Sequence, residues 1–323
     1  MLETLYISIK NELVAVEEVL KTHLRSELPI ITDVSQYVIQ NGGKRLRPAL
    51  FLLCSRLVGF NDEARPRLAA SFEILHTASL LHDDVVDDAL LRRGKPSTKA
   101  KWGNQVSVLV GDFLWTKATS LLVFYGHQKL LELVVRSISA LTEGELLEIG
   151  RHHDLTMSHE EYLKIVRHKT AALFASCSEG AAIAADVSEQ FSSALRGYGV
   201  DLGIAFQLAD DALDYDSDEG TFGKKAGGDL REGKLTYPLI VALTQTDATE
   251  SNIIREALIS DHLSDTQFAL VLSILKKYNA LEATFDLARQ YAEKAKSHLA
   301  LFKPSIEREA LVAVADYAVN RSD

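Results

Sequence analysis

Two stretches of the chain read D-D-x-x-D: His82-Asp83-Asp84-Val85-Val86-Asp87-Asp88 and, much later, Gln207-Leu208-Ala209-Asp210-Asp211-Ala212-Leu213-Asp214. Residues three and four apart share a helix face, so Asp83 or Asp84 with Asp87, and Asp210 or Asp211 with Asp214, each present a carboxylate pair in one direction. Carboxylates so close repel unless a cation lies between them. Hard oxygen donors without His or Cys among them suit Mg²⁺, which keeps several waters and bridges carboxylates to substrate phosphates. One such cluster reads equally well as a solvated acidic helix end. Two clusters, each following apolar residues (Ala78-Ser79-Leu80-Leu81 and Gly203-Ile204-Ala205-Phe206), predict aspartates that emerge from a core into a cavity and handle diphosphates.

Groups that hold the anion are also legible. Gly42-Gly43-Lys44-Arg45-Leu46-Arg47-Pro48 sets three cations on a glycine-loosened turn before a helix, where charge and free backbone N–H groups favour anions. It is not a Walker A loop, lacking that motif's glycine spacing and its Lys-Ser/Thr ending. Alone, such a turn is more often solvated surface. Arg92-Arg93 repeat the pattern just past Asp87, and guanidinium forks suit bidentate phosphate contact.

The elements that position these residues read as helices. Ala, Leu and Glu are abundant, prolines number six, and no sustained period-2 alternation signals a sheet, so the fold class is all-α. Asn41-Gly42-Gly43 ends a first helical region, and Pro48, tolerated in a first turn, opens a helix over 49–57 closed by Gly59. A buried central helix is expected over 68–88, apolar nearly all round. After the basic loop 92–96, helices follow near 105–124, 129–150, 160–185 and 188–215, the third opened by a Ser158/Glu161 capping box. One long irregular, glycine-rich stretch runs from Asp216 to Tyr237, and the C-terminal third is again helical. With no linker, repeat or low-complexity segment, residues 1–323 read as one domain, a globular bundle and not a coiled coil.

Composition excludes other classes. A formal net charge of −10 argues against nucleic-acid binding and against attachment to an anionic membrane, and it makes local cations necessary if the ligands are anions. Cys54 and Cys177 read as reduced core thiols. The N-terminus lacks signal- or transit-peptide character, and no apolar run is expected to reach spanning length, which together predict a cytoplasmic protein without stable membrane insertion. His152-His153-Asp154 reads as a solvated inter-helix turn without metal-ligand spacing. Asp214, Asp216 and Asp218 begin like a calcium loop, but Gly220 comes one place late and Lys225 stands where a bidentate Glu is required.

In order and spacing, G-G-K-R-L-R-P, H-D-D-V-V-D-D with R-R-G-K, H-K-T, F-Q-L-A-D-D and F-G-K-K-A-G-G-D-L-R-E-G-K resemble the trans-isoprenyl diphosphate synthases, most closely the octaprenyl type, over nearly the whole chain. The resemblance implies a helical fold around a central cavity, usually a homodimer. It implies that Gly43, Lys44, Arg47, His76 and Arg93 belong to an isopentenyl diphosphate site, although His76 alone would read as a core histidine. Asp83, Asp84 and Asp87 match the first Mg²⁺ cluster and Asp210, Asp211 and Asp214 the second. Arg92, Lys169, Lys224 and Lys234 match positions that hold an allylic diphosphate, with Thr170 and Gln207 near the developing cation.

The implied chemistry is loss of diphosphate from the allylic substrate, here expected to be farnesyl diphosphate, and attack by isopentenyl diphosphate on the resulting cation. Mg²⁺ and the basic residues would stabilise the leaving group in a site closed to water, with the 216–237 loop as lid. In the family the departing diphosphate is thought to take the proton, matching the absence of an obvious base. Small side chains at Ala78 and Ser79, one turn before Asp83, imply room for a long tail; Phe72 stands roughly 16 Å from Asp83 on the same stripe. A long all-trans product, octaprenyl, for quinone side chains is expected. A geranylgeranyl, heptaprenyl or solanesyl synthase, a terpene cyclase or a silent subunit of a heteromeric enzyme stand as alternatives.

Overall fold

The computed structural model describes residues 6–41, 43–216, 226–260 and 262–320. They form α1 (Lys10–His23), α2 (Pro29–Gln40), α3 (Leu46–Leu57), α4 (Arg65–Val86), a minimal hairpin β1 (Leu91–Arg92) and β2 (Lys95–Pro96), α5 (Thr98–Trp102), α6 (Asn104–Tyr125), α7 (Gln128–Ile149), α8 (His159–Val166), a π-helical turn (Arg167–Ala171), α9 (Ala172–Ala184), α10 (Glu189–Asp216), α11 (Gly228–Arg231), α12 (Tyr237–Leu243), α13 (Ala248–Leu258), α14 (Asp265–Lys277), α15 (Ala280–His298) and α16 (Ile306–Asn320). The chain is all-α, as its composition predicts.

Local chemistry sets the boundaries. Pro29, Pro66 and Pro238 stand in first turns, where a missing N–H costs nothing. Ser158 and Glu161 form the expected capping box, and Ser264 with Gln267 forms a second. Three expectations need correction. The basic loop is a hairpin whose turn residues Arg93 (φ 53°) and Gly94 (φ 72°) are both left-handed, the twist a two-residue connection requires. The helix expected over 160–185 is interrupted by the π turn. Part of the expected irregular stretch is helical, as α11; the role expected of Lys224 and of the glycine-rich segment around it falls outside the described residues.

Contacts divide the described chain into two compact units, each built from three stretches: Met1–Ser137, Leu173–Gly199 and His298–Val314; and Ile138–Ala172, Val200–Ser297 and Ala315–Asp323. In the first, α4 is the central helix and packs against α1, α3 and α6. Leu68, Phe72, Leu75, Ala78 and Leu81 along it are fully buried. Cys54 and Cys177 are free, buried thiols in the same unit, and burial pushes both pKa values up. The second unit gathers α8, the π turn and α11–α14.

Helix α6 corrects the expectation about spanning length: its mean hydropathy of 1.4 over an 18-residue window is enough to pass for a membrane span. The reason lies in packing. One side, with Val110, Gly111, Leu114 and Ala118, is core, while Val108, Leu109, Val123 and Phe124 on the rest are exposed.

Candidate active site

In the first unit the acidic residues sit where α4 ends. The helix stops at Val86, so Asp87 is its C-cap and not a helical residue, yet its N–H still donates to the Asp83 carbonyl at 2.8 Å and keeps it one turn away. Asp84 is 2% exposed; it accepts from Arg92 Nε at 2.5 Å and from Thr98 Oγ1 at 3.4 Å. The hairpin therefore delivers Arg92 onto the aspartates. Asp88, left-handed at φ 53°, pairs outward with Lys99.

Three arginines converge beside this. A Cβ at Gly43 would come within 3.3 Å of both Arg45 Nη1 and Arg93 Nη1, so a side chain there would crowd the two guanidinium groups. Arg45 turns inward, donating to Glu17 Oε1 at 2.6 Å and to the buried Glu73 Oε1 at 2.8 Å. As the N-cap of α3 it anchors the junction between Lys44 on the loop and Arg47 in the first turn of the helix. The Arg47 guanidinium lies 4.9 Å from the Phe174 ring centroid. His76 lines a cavity with Arg45, Glu73, Asp84, Arg92 and Arg93. Burial, then the charges of Arg47, Arg93, Arg92 and Arg45, hold its imidazole well below the usual histidine range, so it is neutral at pH 7. A neutral histidine among guanidinium groups is an arrangement for an anion. Of the residues expected to set chain length, Phe72 and Ala78 are fully buried, Phe72 lying 5.4 Å from the Phe51 ring, while Ser79 is partly exposed and donates to the His76 carbonyl at 2.9 Å.

The second unit contains the other half of the set. Lys169 and Thr170 lie in the π turn Arg167–Ala171. Two glycines admit it: a Cβ at Gly144 of α7 would come within 2.6 Å of the Lys169 backbone nitrogen, and one at Gly203 of α10 within 2.5 Å of the Ala171 Cα. A π turn often marks a functional site because it re-aims side chains. Here it puts Thr170 Oγ1 2.8 Å from Gln207 Oε1, and Gln207 Nε2 donates to Asp211 Oδ1 at 2.9 Å. Asp211, buried, also accepts from Tyr162 Oη at 2.5 Å. Burial, with the like charge of Asp210 adding to it, raises the Asp211 carboxyl pKa despite these hydrogen bonds. Asp214 accepts from the Gly228 and Asp229 N–H groups, both at 3.1 Å, tying the start of α11 to α10.

Glu148, Lys169, Thr170, Gln207, Asp211, Asp229 and Lys234 line a cavity of about 110 Å³. Lys169 Nζ lies 2.5 Å from Glu148 and 2.9 Å from Glu145; burial opposes its charge, but these carboxylates outweigh that and raise its pKa. Lys234 Nζ is 2.8 Å from Glu232 and 3.8 Å from Glu148. His152 lines the same cavity, and His153 donates a backbone N–H to Gly233 at 3.0 Å while its ring Nδ1 lies 2.7 Å from the Leu258 carbonyl. The turn expected to be merely solvated thus braces the segment before Lys234.

Among the described residues, no three His, Cys, Asp or Glu side chains are drawn together at metal-ligand spacing. The donors fit a hard divalent cation nonetheless: carboxylates only, one of them buried beside a like charge that a cation would relieve. Sequence reading missed Tyr162, Glu145, Glu148, Glu73 and Asp229, and it counted Arg45 among the anion-binding cations although it pairs inward with Glu17 and Glu73. Asp229 lies within the quoted D-L-R-E-G-K motif; the others carry no local signal, because their partners are distant in sequence.

The fold and these residues define an all-α enzyme that handles diphosphates. The chain belongs to the polyprenyl synthetase family, whose model matches residues 28–275. It is 36% identical over 314 residues to the octaprenyl diphosphate synthase of Escherichia coli (strain K12), covering 96% of each chain. It is 38% identical to an all-trans-nonaprenyl-diphosphate synthase (geranyl-diphosphate specific) of Rhodobacter capsulatus, covering 97% of this chain and 96% of that one. A polyprenyl synthase from Caulobacter crescentus CB15, solved in complex with calcium and isoprenyl diphosphate, superposes with a TM-score of 0.96 at 42% identity, covering 100% of this chain and 98% of that one. The protein is a prenyltransferase of isoprenoid biosynthesis.

Proposed function

We propose that this enzyme adds isopentenyl diphosphate units to an allylic diphosphate, farnesyl diphosphate, to make a long all-trans polyprenyl diphosphate, octaprenyl, for quinone side chains. The observation that carries this reading is the division of cations into two sets: Arg45, Arg47, Arg92 and Arg93 around neutral His76, and Lys169 with Lys234 beside Gln207 and Asp211. Two anion sites are what two diphosphate substrates need. A cyclase needs only one.

Lys169 and Lys234 take up negative charge as the allylic diphosphate leaves, and their preorganisation lowers the barrier without reorientation during reaction. Gln207, fixed by Thr170 and Asp211, presents its amide dipole to the developing carbon cation. Lys44, Arg47 and Arg93 bind the isopentenyl diphosphate headgroup, with neutral His76 donating a hydrogen bond. Asp83, Asp84 and Asp87 in one unit, and Asp210, Asp211 and Asp214 in the other, would hold Mg²⁺, which would neutralise diphosphate charge. Exposed apolar side chains on α6, Val108, Leu109 and Phe124, support the homodimer, and the free thiols support a cytoplasmic location. The single-domain reading rests on the family match extending across both units.

Incubating the purified protein with farnesyl diphosphate, labelled isopentenyl diphosphate and Mg²⁺, then sizing products, tests this. An eight-unit product is expected. Four, seven or nine units reassigns the product length, a cyclic hydrocarbon indicates a cyclase, and no product with the protein alone indicates a silent subunit.

A further inference from the structure

Around the cavity of the second unit, charges alternate along one line: Glu145, Lys169, Glu148, Lys234, Glu232. Glu148 holds the middle position. A single oxygen, Oε2, lies 2.5 Å from Lys169 Nζ and 3.8 Å from Lys234 Nζ, whereas Glu145 is paired with Lys169 and Glu232 with Lys234. Glu148 therefore occupies the point where an incoming anion would bridge both ammonium groups.

We propose that Glu148 is an internal competitor for the allylic diphosphate, a proposal that rests on the assignment of Lys169 and Lys234 to that ligand. With the site empty, its carboxylate neutralises the lysines and keeps them aimed into the cavity. An arriving diphosphate, carrying more charge, displaces it. Once the carbon–oxygen bond has broken and the tail has moved to the new unit, Glu148 recloses on the lysines and helps to expel the free diphosphate, which must leave before the lengthened chain can occupy the site again. An enzyme that repeats its condensation needs that release every cycle. Glu148 is thus a positioning residue, acting through Lys169 and Lys234.

The test uses inorganic pyrophosphate in EDTA, titrated calorimetrically into the folded full-length protein, alongside steady-state kinetics with Mg²⁺. In Glu148→Gln the amide cannot compete as an anion, and pyrophosphate should bind about five-fold tighter, the size of one removed like charge near a partly exposed site. The KM for the allylic substrate should fall, and product inhibition by pyrophosphate should strengthen. Glu145→Gln and Glu232→Gln, each touching one lysine, should give smaller gains. Glu148→Ser is the companion variant if circular dichroism shows the Gln variant misfolded. Unchanged or weaker pyrophosphate binding in the Glu148 variants overturns the proposal and makes the residue a simple lysine support. If the Lys169→Ala/Lys234→Ala double variant binds pyrophosphate as the unmodified protein does, the anion-site assignment itself falls, and the proposal with it.

Discussion

Tyr162 donates its phenol proton to Asp211 at 2.5 Å, and both side chains are buried. The second acidic cluster is therefore oriented from α8, an element that its own sequence motif does not include.

Asp84→Ala and Asp211→Ala should each lower turnover by orders of magnitude and also lower the melting temperature, because each removes a carboxylate and leaves buried or part-buried donors, Arg92 and Thr98 or Tyr162 and Gln207, without their acceptor. Tyr162→Phe should raise the Mg²⁺ concentration needed for half-maximal rate while retaining most of kcat, since Asp211 stays in place but loses one donor that orients it and favours its charged form. Metal titrations of the rate check both. Near-normal turnover in both aspartate variants would sink the assignment.

The two cation sets should separate kinetically. Arg47→Ala should raise KM for isopentenyl diphosphate far more than for the allylic substrate, and Lys234→Ala should show the reverse bias. Equal effects from each variant on both substrates mean that there are not two sites.

Tail length should respond to α4. Ala78→Tyr places an aromatic ring about one turn below Asp83. The first condensation should stay fast, and reversed-phase chromatography should show products of roughly three or four isoprene units, a length judged from the helix rise. Products of unchanged length mean that this face does not border the tail.

The π turn should be sensitive to small additions. A methyl at Gly203 meets the Ala171 Cα at 2.5 Å, so Gly203→Ala should cost about 1–3 kcal/mol of stability and displace Lys169 and Thr170. A denaturation midpoint and kcat that both match the unmodified protein would show that the neighbouring backbone yields freely.

Stability should depend on pH through His76. Its imidazole is depressed in the folded state, by burial and by the surrounding arginines. Below the unfolded value of about 6.5, the unfolded chain takes up a proton that the folded one refuses, so this contribution, complete above that pH, is lost as pH falls. Between pH 6 and 5 the unmodified protein should lose up to about 1.4 kcal/mol per pH unit more than His76→Gln. Parallel denaturation curves across that range would show that His76 is not the group responsible.

The helical class and the capping of α8 by Ser158 and Glu161 were legible in the sequence, as were the motifs that suggest diphosphate chemistry, because these depend on spacings of three and four along one helix and on short motifs. It gave no sign that Arg45 turns inward to Glu17 and Glu73 while its neighbours Lys44 and Arg47 carry the motif, nor that Arg92 would lie on Asp84. The π turn was equally silent, since Arg167–Ala171 keeps helical spacing and is widened only where Gly144 and Gly203 allow the backbone in. Glu148 lies 21 residues from Lys169, and no periodicity reaches so far. Whether a charge points at substrate or at a buried partner depends on which distant side chains the fold brings within a few ångströms, and that was decided by tertiary structure alone.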